Sequence, residues 1–232
     1  MPDSYVATFT GRLEVLFEER RDPTRAAAMA AYMRDQFPYY GLPAPSQRAA
    51  AKEALVGLGQ PTEGDLVQLA TTCWARPQRE WQYAACDLLA KRAKHCSPAM
   101  LLTVEHLITT KSWWDTVDAL ASKVVGALVR AHRELVPTMD AWIDADDFWL
   151  ARTAILHQLA WKADTDADRL FGYCERRAGD TEFFIRKAIG WALREYAKTD
   201  AGAVQQFVAD HDDALSGLSK REALKNVARS LK

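Results

Sequence analysis

Apolar residues recur at intervals of three and four positions through most of the chain, and no run alternates as a half-buried strand does. This pattern predicts helices joined by short connectors. Two helices begin with a capping residue followed by proline, at Asp22-Pro23 and at Ser97-Pro98, and are expected to run to about Phe37 and Thr109. Further helices are predicted at 5–20, 46–57, 64–75, 79–94, 114–132, 134–144, 147–162, 167–178, 182–198, 201–210 and 219–231.

The helical pattern repeats. The segment 148–155 resembles the segment 182–189 at an offset of 34, which aligns Arg152 with Arg186. Aromatic side chains open equivalent helices at Trp81, Trp113, Trp149 and Phe183, whose numbers differ by 32, 36 and 34. One period is an antiparallel helix pair, and such pairs bury their apolar faces by stacking into a curved solenoid. We expect one repeat domain over 1–232, with a concave groove as its binding surface and with Trp81, Trp113 and Trp149 in its core.

The composition supports the all-α fold class. The chain has 232 residues, of which 39 are alanine, only 13 valine and five isoleucine. Alanine is the best helix former, whereas β-branched residues favour strands. Hydrophobic residues make up 49% of the chain and charged residues 26%, a balance typical of a globular protein. Of the eight tryptophans, Trp74, Trp142 and Trp161 receive no role from the pattern.

Several functional classes receive no support from the residues present. The N-terminal segment does not resemble a secretion signal, and no uninterrupted apolar stretch is long enough to cross a membrane. The four cysteines form no C-x-x-C pair, and the five histidines show no metal-binding spacing. We therefore expect reduced thiols, a cytoplasmic protein and no metal.

Charge is unevenly distributed, although the net charge is −1. Residues 183–198 carry a net charge of +3 and residues 219–232 a net charge of +4. Acidic residues concentrate in 140–147 and 164–168, where capping of helix ends is expected. A neutral chain can therefore present a basic surface to a nucleic acid.

Some side chains do not fit a simple amphipathic helix. In 183–198, a stripe of Lys187, Trp191, Arg194 and Lys198 lies opposite the apolar face. An aromatic residue among cations is typical of a nucleic-acid-binding surface, but it equally fits a tryptophan packed on a neighbouring helix.

Two charged residues fall on apolar helix faces. Trp114 and Asp118 lie together at the edge of one apolar stripe, and Arg152 lies within another. Buried charges require a partner, so Asp118 is a candidate partner for Arg152. A structural ion pair and a functional site are both consistent with this pattern.

The longest motifs resemble the AlkD-like DNA alkylation repair enzymes. They are T-K-S-W-W-D-T-V-D at 110–118 and F-F-I-R-K-A-I-G-W-A-L-R-E-Y-A-K at 183–198. Shorter stretches at 149–156, 218–225 and 41–48 and the A-Y-M-R segment around Tyr32 extend the resemblance over nearly the whole chain. The segments 71–78, 164–179 and 201–217 carry little of the family's pattern.

The resemblance implies a cofactor-independent DNA glycosylase built from HEAT-like repeats, which releases N3- and N7-alkylated purines from duplex DNA. It implies Asp118 as the catalytic carboxylate, Trp114 and Trp191 as cleft tryptophans and Arg152 as a cleft arginine. The DNA-binding residues expected around them are Tyr32, Arg48, Lys187, Arg194, Lys198, Lys220 and Arg221.

Two other functions remain open at this point. One is a DNA-binding scaffold of the same fold without glycosylase activity, and the other is a protein–protein adaptor. We expect a monomer without metal or organic cofactor, located in the cytoplasm and associated with the nucleoid when bound to DNA.

Overall fold

A computed structural model describes residues 4–225 and residue 227, and these residues form helices and connectors without a strand. They divide into two compact units, Met1–Arg92 and Ala93–Lys232. The first unit contains α1 Tyr5–Glu19, α2 Pro23–Tyr32, α3 Ala44–Ala54, α4 Glu63–Ala75 and α5 Arg79–Arg92. The second contains α6 Met100–Thr109, α7 Trp114–Ala119, α8 Gly126–Ala131, α9 Val136–Trp142, α10 Phe148–Leu156, α11 Ala167–Arg176, α12 Phe183–Tyr196, α13 Ala201–Asp210 and α14 Gly217–Leu224. The predicted all-α class is confirmed, whereas the single domain over 1–232 stays a prediction.

The repeat predicted from the aromatic spacing is visible in the helix starts. Six helices begin at nearly equal intervals along the chain, at Ala44, Arg79, Trp114, Phe148, Phe183 and Gly217. In the second unit, α12 packs against both α10 and α14, and α10 packs against α7. Equivalent helices of successive repeats are therefore neighbours, and side chains one repeat apart can meet.

Helix starts follow the capping residues. The Asp22 side chain accepts a hydrogen bond from the backbone N–H of Arg25, as the Asp22-Pro23 pair predicts. Asp147 and Asp166 cap α10 and α11 in the same way, so part of the acidic concentration serves as caps. The remaining acidic residues there include Asp144, which pairs with an arginine of α11.

Predicted helix boundaries are wrong at several places, and the helix predicted to end at 57 ends at Ala54. The helix after Asp22 ends at Tyr32 because Arg34 and Asp35 adopt left-handed backbone conformations, with φ of 56°, and their N–H groups return to the carbonyls of the last turn. The helix expected from Ser97 begins at Met100, after a tight turn. The helix expected to reach 162 ends at Leu156 in turns, and the end of the helix predicted to reach 231 lies outside the described residues.

The predicted helix 114–132 is interrupted by one wide turn. Leu120–Val125 is a π-helix that joins α7 to α8, and within it the Ser122 hydroxyl donates to the Asp118 carbonyl at 2.7 Å. A π-turn holds an extra residue and is frequent at functional sites. It follows directly on the segment that carries Trp114 and Asp118.

Most tryptophans belong to the core. The buried ones are Trp74, Trp81, Trp142, Trp149 and Trp161. Trp113 is only half-buried, in contact with the rings of Trp149 and Phe184, so its predicted core position is only partly realised. The three tryptophans without a predicted role are thus structural.

A fully buried histidine, His157, directly follows α10. The Nδ1 atom of His157 donates to the Ala154 carbonyl at 2.7 Å, and the ring contacts Trp161 and Tyr173. Burial lowers the pKa of His157 to about 4, so the neutral imidazole is the folded form at neutral pH. Within the described residues, no helix is long and apolar enough to cross a membrane.

Candidate functional site

A cavity of about 260 Å³ opens in the second unit where α7, α10, α12 and α14 meet. The residues that line it are Trp114, Asp118, Arg152, Phe183, Phe184, Lys187, Trp191, Arg194 and Glu222. All four residues expected to be catalytic from the resemblance are among them. Positions from four helices, far apart in the sequence, therefore converge on one site, as the repeat spacing allows.

Asp118 and Arg152 form a bidentate ion pair at the floor of the cavity. The Arg152 Nε donates to Asp118 Oδ1 at 2.7 Å and Nη2 donates to Oδ2 at 2.9 Å. The third nitrogen, Nη1, donates to the Phe184 carbonyl. The Arg152 side chain is 5% exposed and that of Asp118 is 17% exposed. The partner suggested for Arg152 by the sequence is thus the observed one.

This pairing determines which groups Arg152 can contact. Its three guanidinium nitrogens are directed to Asp118 and to a backbone carbonyl, rather than to the open side of the cavity. A phosphate would have to displace a bidentate carboxylate in a buried position. Arg152 is therefore placed to orient Asp118 and to favour its ionised form.

Two opposing effects act on the Asp118 carboxyl. Burial raises its pKa, because a buried site disfavours the charged form, and the neighbouring Asp115 adds to the rise. The bonds from Arg152 lower the pKa because they favour the carboxylate. Since an arginine does not deprotonate, the buried Arg152 holds Asp118 as its counter-ion. The result is an oriented carboxylate in a partly dry site.

Trp114 and Trp191 both line the cavity. Both are half-buried, and each comes from a different helix, α7 and α12. Trp113, Trp149 and Phe184 form an aromatic cluster at the start of α7. Trp191 is thus not fully packed on a neighbouring helix, and part of its surface faces the cavity.

Glu222 is a site residue that the sequence did not single out. Its carboxylate accepts from Lys187 Nζ at 3.1 Å and also pairs with Arg194. The bond from Lys187 lowers the pKa of Glu222, which keeps it ionised. A signal was present in the spacing, because Glu222 lies one repeat after Lys187, just as Arg152 lies one repeat after Asp118.

A glycine allows α12 and α14 to approach closely at this point. A Cβ added at Gly190 would lie 2.5 Å from the Glu222 Cβ and 2.9 Å from the Ser219 carbonyl oxygen. Such distances are well inside van der Waals contact. Gly190 therefore brings Glu222 within reach of the cations on α12, next to Trp191.

The other predicted DNA-binding residues lie away from the cavity. Lys198 is exposed and pairs with Glu195, one turn earlier on α12. Lys220 pairs with Asp212, and Arg221 is exposed on α14. These cations are not among the residues that line the cavity, and their binding role stays a prediction.

Tyr32 and Arg48 belong to the first unit. Tyr32 is 72% exposed and borders an apolar pocket of about 250 Å³ with Met29 and Tyr83. Arg48 pairs with Asp87 at 3.1 Å, and its side chain remains 62% exposed. Both are accessible, and neither belongs to the cavity described above.

Metal ligation has no structural basis in the described residues. No three side chains of His, Cys, Asp or Glu converge there as a metal site requires. The four cysteines are buried free thiols, and burial raises the pKa of Cys73 to about 12. A thiol with such a pKa is not a nucleophile at neutral pH.

Two solved structures resemble the chain over most of its length. A protein described as a predicted DNA alkylation repair enzyme from Enterococcus faecalis is 34% identical to it, with a TM-score of 0.83, and the match covers 90% of this chain and 97% of that one. The protein smu.31 from Streptococcus mutans shares the fold at 15% identity and a TM-score of 0.60, over 86% and 97% of the two chains. No curated protein matches the chain significantly.

These likenesses confirm a HEAT-like helical repeat fold. The sequence model of the family described as DNA alkylation repair enzyme matches residues 13–227, which is nearly the whole described chain. The chain therefore belongs to the DNA alkylation repair enzyme family, whose partner is DNA.

Proposed function

We propose that this protein is a DNA glycosylase that hydrolyses the N-glycosidic bond of N3- and N7-alkylated purines in duplex DNA. The observation that carries the proposal is a carboxylate, Asp118, held by two bonds from Arg152 in an open cavity beside Trp114 and Trp191. A scaffold that only binds DNA needs cations but not a buried, oriented carboxylate. An adaptor that binds peptides needs neither.

The reaction suits a site with one carboxylate. An N3- or N7-alkylated purine carries a positive charge, so the base is already an activated leaving group. When the bond from C1′ to the base nitrogen breaks, the base takes the bonding electrons and becomes neutral, and positive charge develops on the deoxyribose. Water then forms the new C–O bond and loses a proton. No strong general acid is needed.

Asp118 supplies the negative charge that this transition state requires. A fixed carboxylate next to the sugar stabilises the developing cation and orients the attacking water. Arg152 holds both oxygens in place, so little reorganisation is needed when charge develops. Partial burial strengthens the interaction, because water screens it less.

The tryptophans add attraction for cations. The face of an indole attracts a cation with about 0.5–2 kcal/mol, depending on how far the pair is desolvated. Trp114 and Trp191 can hold the cationic base or the sugar between them and Asp118.

The cations around the cavity place the duplex. Lys187 and Arg194 lie at its edge, and Lys198, Lys220 and Arg221 lie beyond it. Phosphate contacts of this kind position DNA without reading its sequence. Because Glu222 already pairs with Lys187 and Arg194, a phosphate would share or replace that carboxylate.

The test measures release of alkylated base from methylated duplex DNA. We expect release by the wild type and a loss of at least two orders of magnitude in Asp118→Asn, as for loss of one transition-state contact. Trp191→Ala is expected to lose less, about tenfold, since one cation–aromatic contact is removed. Asp144→Asn is the matched control, because this carboxylate is exposed and is not among the cavity residues.

Two results would contradict the proposal. Absence of release by the wild type with intact duplex binding would instead support a scaffold. Full activity of Asp118→Asn would remove this carboxylate from the mechanism. We further propose a cytoplasmic monomer associated with the nucleoid when bound to DNA, which size-exclusion chromatography with and without duplex and fluorescence microscopy of a tagged protein would check.

A further inference from the structure

A second cavity, of about 440 Å³, lies in the Ala93–Lys232 unit beside α8. It is separate from the candidate site and has a different lining. Small residues and one tryptophan form part of its lining: Gly126, Ala127, Ala131, Ala160 and Trp161. Three cations and a hydroxyl complete it: Lys94, Lys123, Arg130 and Ser122. No acidic side chain is among these described lining residues.

The three cations are available to an incoming anion. Neither Lys94 nor Lys123 forms an ion pair within residues 4–225. Arg130 pairs with Asp164, but both side chains are more than half exposed. Exposed pairs of this kind are worth little in water, and a phosphate is a stronger partner for arginine than a solvated carboxylate.

Helix-end electrostatics accounts for only part of this arrangement. Arg130 lies in the last turn of α8, and Lys94 lies just after α5, where cations complement the helix dipole. Lys123 lies within the π-helix, away from either helix end. A fourth cation, Arg133, lies 5.2 Å from the centre of the Trp161 ring. Asp164 balances the charge of Arg130, whereas Lys94 and Lys123 add positive charge that an anion in the cavity would balance.

The floor of the cavity favours a bulky anion over a buried small ion. Ala127, Ala131 and Ala160 carry short side chains that are not fully buried, so an extended group can approach the helices closely there, whereas Gly126 is packed against the His157 carbonyl. The Ser122 hydroxyl and the Trp161 Nε1 already donate to backbone carbonyls. Recognition therefore depends on the charged rim, as in binding of a phosphodiester backbone without sequence readout.

The position along the chain relates this cavity to the candidate site. Lys123 and Arg130 follow Asp118 on one nearly continuous helix. At a helical rise of about 1.5 Å per residue, the axial distance from Asp118 to Arg130 is ~18 Å. Phosphates recur every ~3.4 Å of axis on each strand, so this separation spans several nucleotides.

From these features we infer that the second cavity binds two neighbouring backbone phosphates of DNA, several nucleotides from the damaged one, through Lys94 and Lys123. The inference rests on DNA as the partner, and the glycosylase reaction is not needed for it. The cavity extends the contact between duplex and protein beyond the lesion and adds affinity for undamaged DNA.

The test compares Lys94→Gln/Lys123→Gln with wild type in binding an undamaged duplex long enough to reach both cavities. Each phosphate contact contributes about 0.9 to the slope of log affinity against log salt, so the double variant should lose about 1.8 from that slope. A fourfold rise in salt should then reduce the affinity of the variant about tenfold less than that of the wild type. The rate of base release with protein in saturating excess should be unchanged.

A matched double variant, Arg21→Gln/Arg176→Gln, removes the same charge from exposed ion pairs elsewhere. An equal slope in wild type and Lys94→Gln/Lys123→Gln, or an equal loss in the control, would overturn the inference. So would a rise in Tm with inorganic phosphate that depends on the two lysines while the slope for DNA is unchanged, because the cavity would then hold free phosphate. If the slope falls and no base is released, only the proposed function fails.

Discussion

Replacing Arg152 by methionine would remove the counter-ion of Asp118 while retaining the length and apolar stem of the side chain. Two bonds to the carboxylate and one to the Phe184 carbonyl would be lost in a position where the arginine is 5% exposed. A buried charge would then lack its partner, and a backbone carbonyl would lose a donor. We expect the variant to be markedly less stable than the wild type.

The magnitude follows from the two losses. Removing one partner of a buried ion pair costs about 3–5 kcal/mol. The Asp118 side chain is 17% exposed and can gain water, so the lower end, ~3 kcal/mol, applies. Loss of the hydrogen bond from Arg152 to the Phe184 carbonyl adds ~1 kcal/mol. A total of about 4 kcal/mol is a large share of the ~5–15 kcal/mol that stabilises a typical protein.

Urea unfolding of a double-mutant cycle measures this interaction. In Asp118→Asn/Arg152→Met neither buried charge remains, so the double variant should lose less stability than the two single variants together. The expected coupling is about 1–3 kcal/mol. Additive losses would refute the reasoning, because they would show that the ion pair does not stabilise the protein in solution.

The same variant changes the pH dependence of base release. Asp118 acts as a carboxylate, so activity is present above its pKa and falls as the pH drops through it. Burial already raises that pKa, and Arg152 opposes the rise. Arg152→Met should therefore lose activity at a higher pH than the wild type. If the acidic limb of the pH–rate profile lies at the same pH in Arg152→Met and in the wild type, the titrating group is not Asp118.

Three further outcomes are expected. Glu222→Gln should free Lys187 and Arg194 and increase the salt slope for duplex binding by about 0.9. Glu175→Gln, an exposed control, should leave this slope unchanged. Fluorescence anisotropy measures the slope for both variants. His157 has a folded pKa of about 4, below its unfolded value, so the unfolded state takes up more protons as the pH falls. Protonation of His157 in the unfolded state should decrease the free energy of unfolding by about 2 kcal/mol between pH 7 and pH 5. This part of the pH dependence should be absent in His157→Gln, as measured by urea unfolding at both pH values. Gly190→Ala should cost about 1–3 kcal/mol through contact with α14, whereas Gly172→Ala, where a Cβ meets nothing, should stabilise α11 by roughly 0.5–1 kcal/mol in thermal unfolding.

The helices were predictable because their signals are local. The cap at Asp22 and the apolar periodicity depend on residues within a few positions, and the structure confirms them. Helix ends were harder to predict. The left-handed turn at Arg34 is stabilised by backbone hydrogen bonds, which residues of any type can form, so the sequence carries no specific signal for it. The π-turn at Leu120–Val125 has no sequence signal, since the same apolar face is buried with or without it.

The candidate site was predictable where a residue conflicts with its helix face. Arg152 and Asp118 lie on apolar stripes, and the repeat offset brings them together. Glu222 ends the polar run 219–222, where a glutamate is unremarkable, so only its distance from Lys187 along the chain could reveal the pair. The second cavity was not predictable. Its small residues and lysines are ordinary in each helix, and only the packing of several helical segments brings them around one space.

The π-turn after Asp118 sets how this helix can tolerate the loss of a residue. The turn accommodates one residue more than an α-helix would, and each residue of an α-helix corresponds to about 100° of rotation. Deleting one residue from Leu120–Val125 would restore a regular helix with nearly the same total rotation, so Trp114 and Asp118 would still face Arg152. This segment can therefore lose one residue while the site keeps its register, whereas a deletion inside a regular helix such as α12 would rotate one half against the other by about 100° and disrupt packing and activity together.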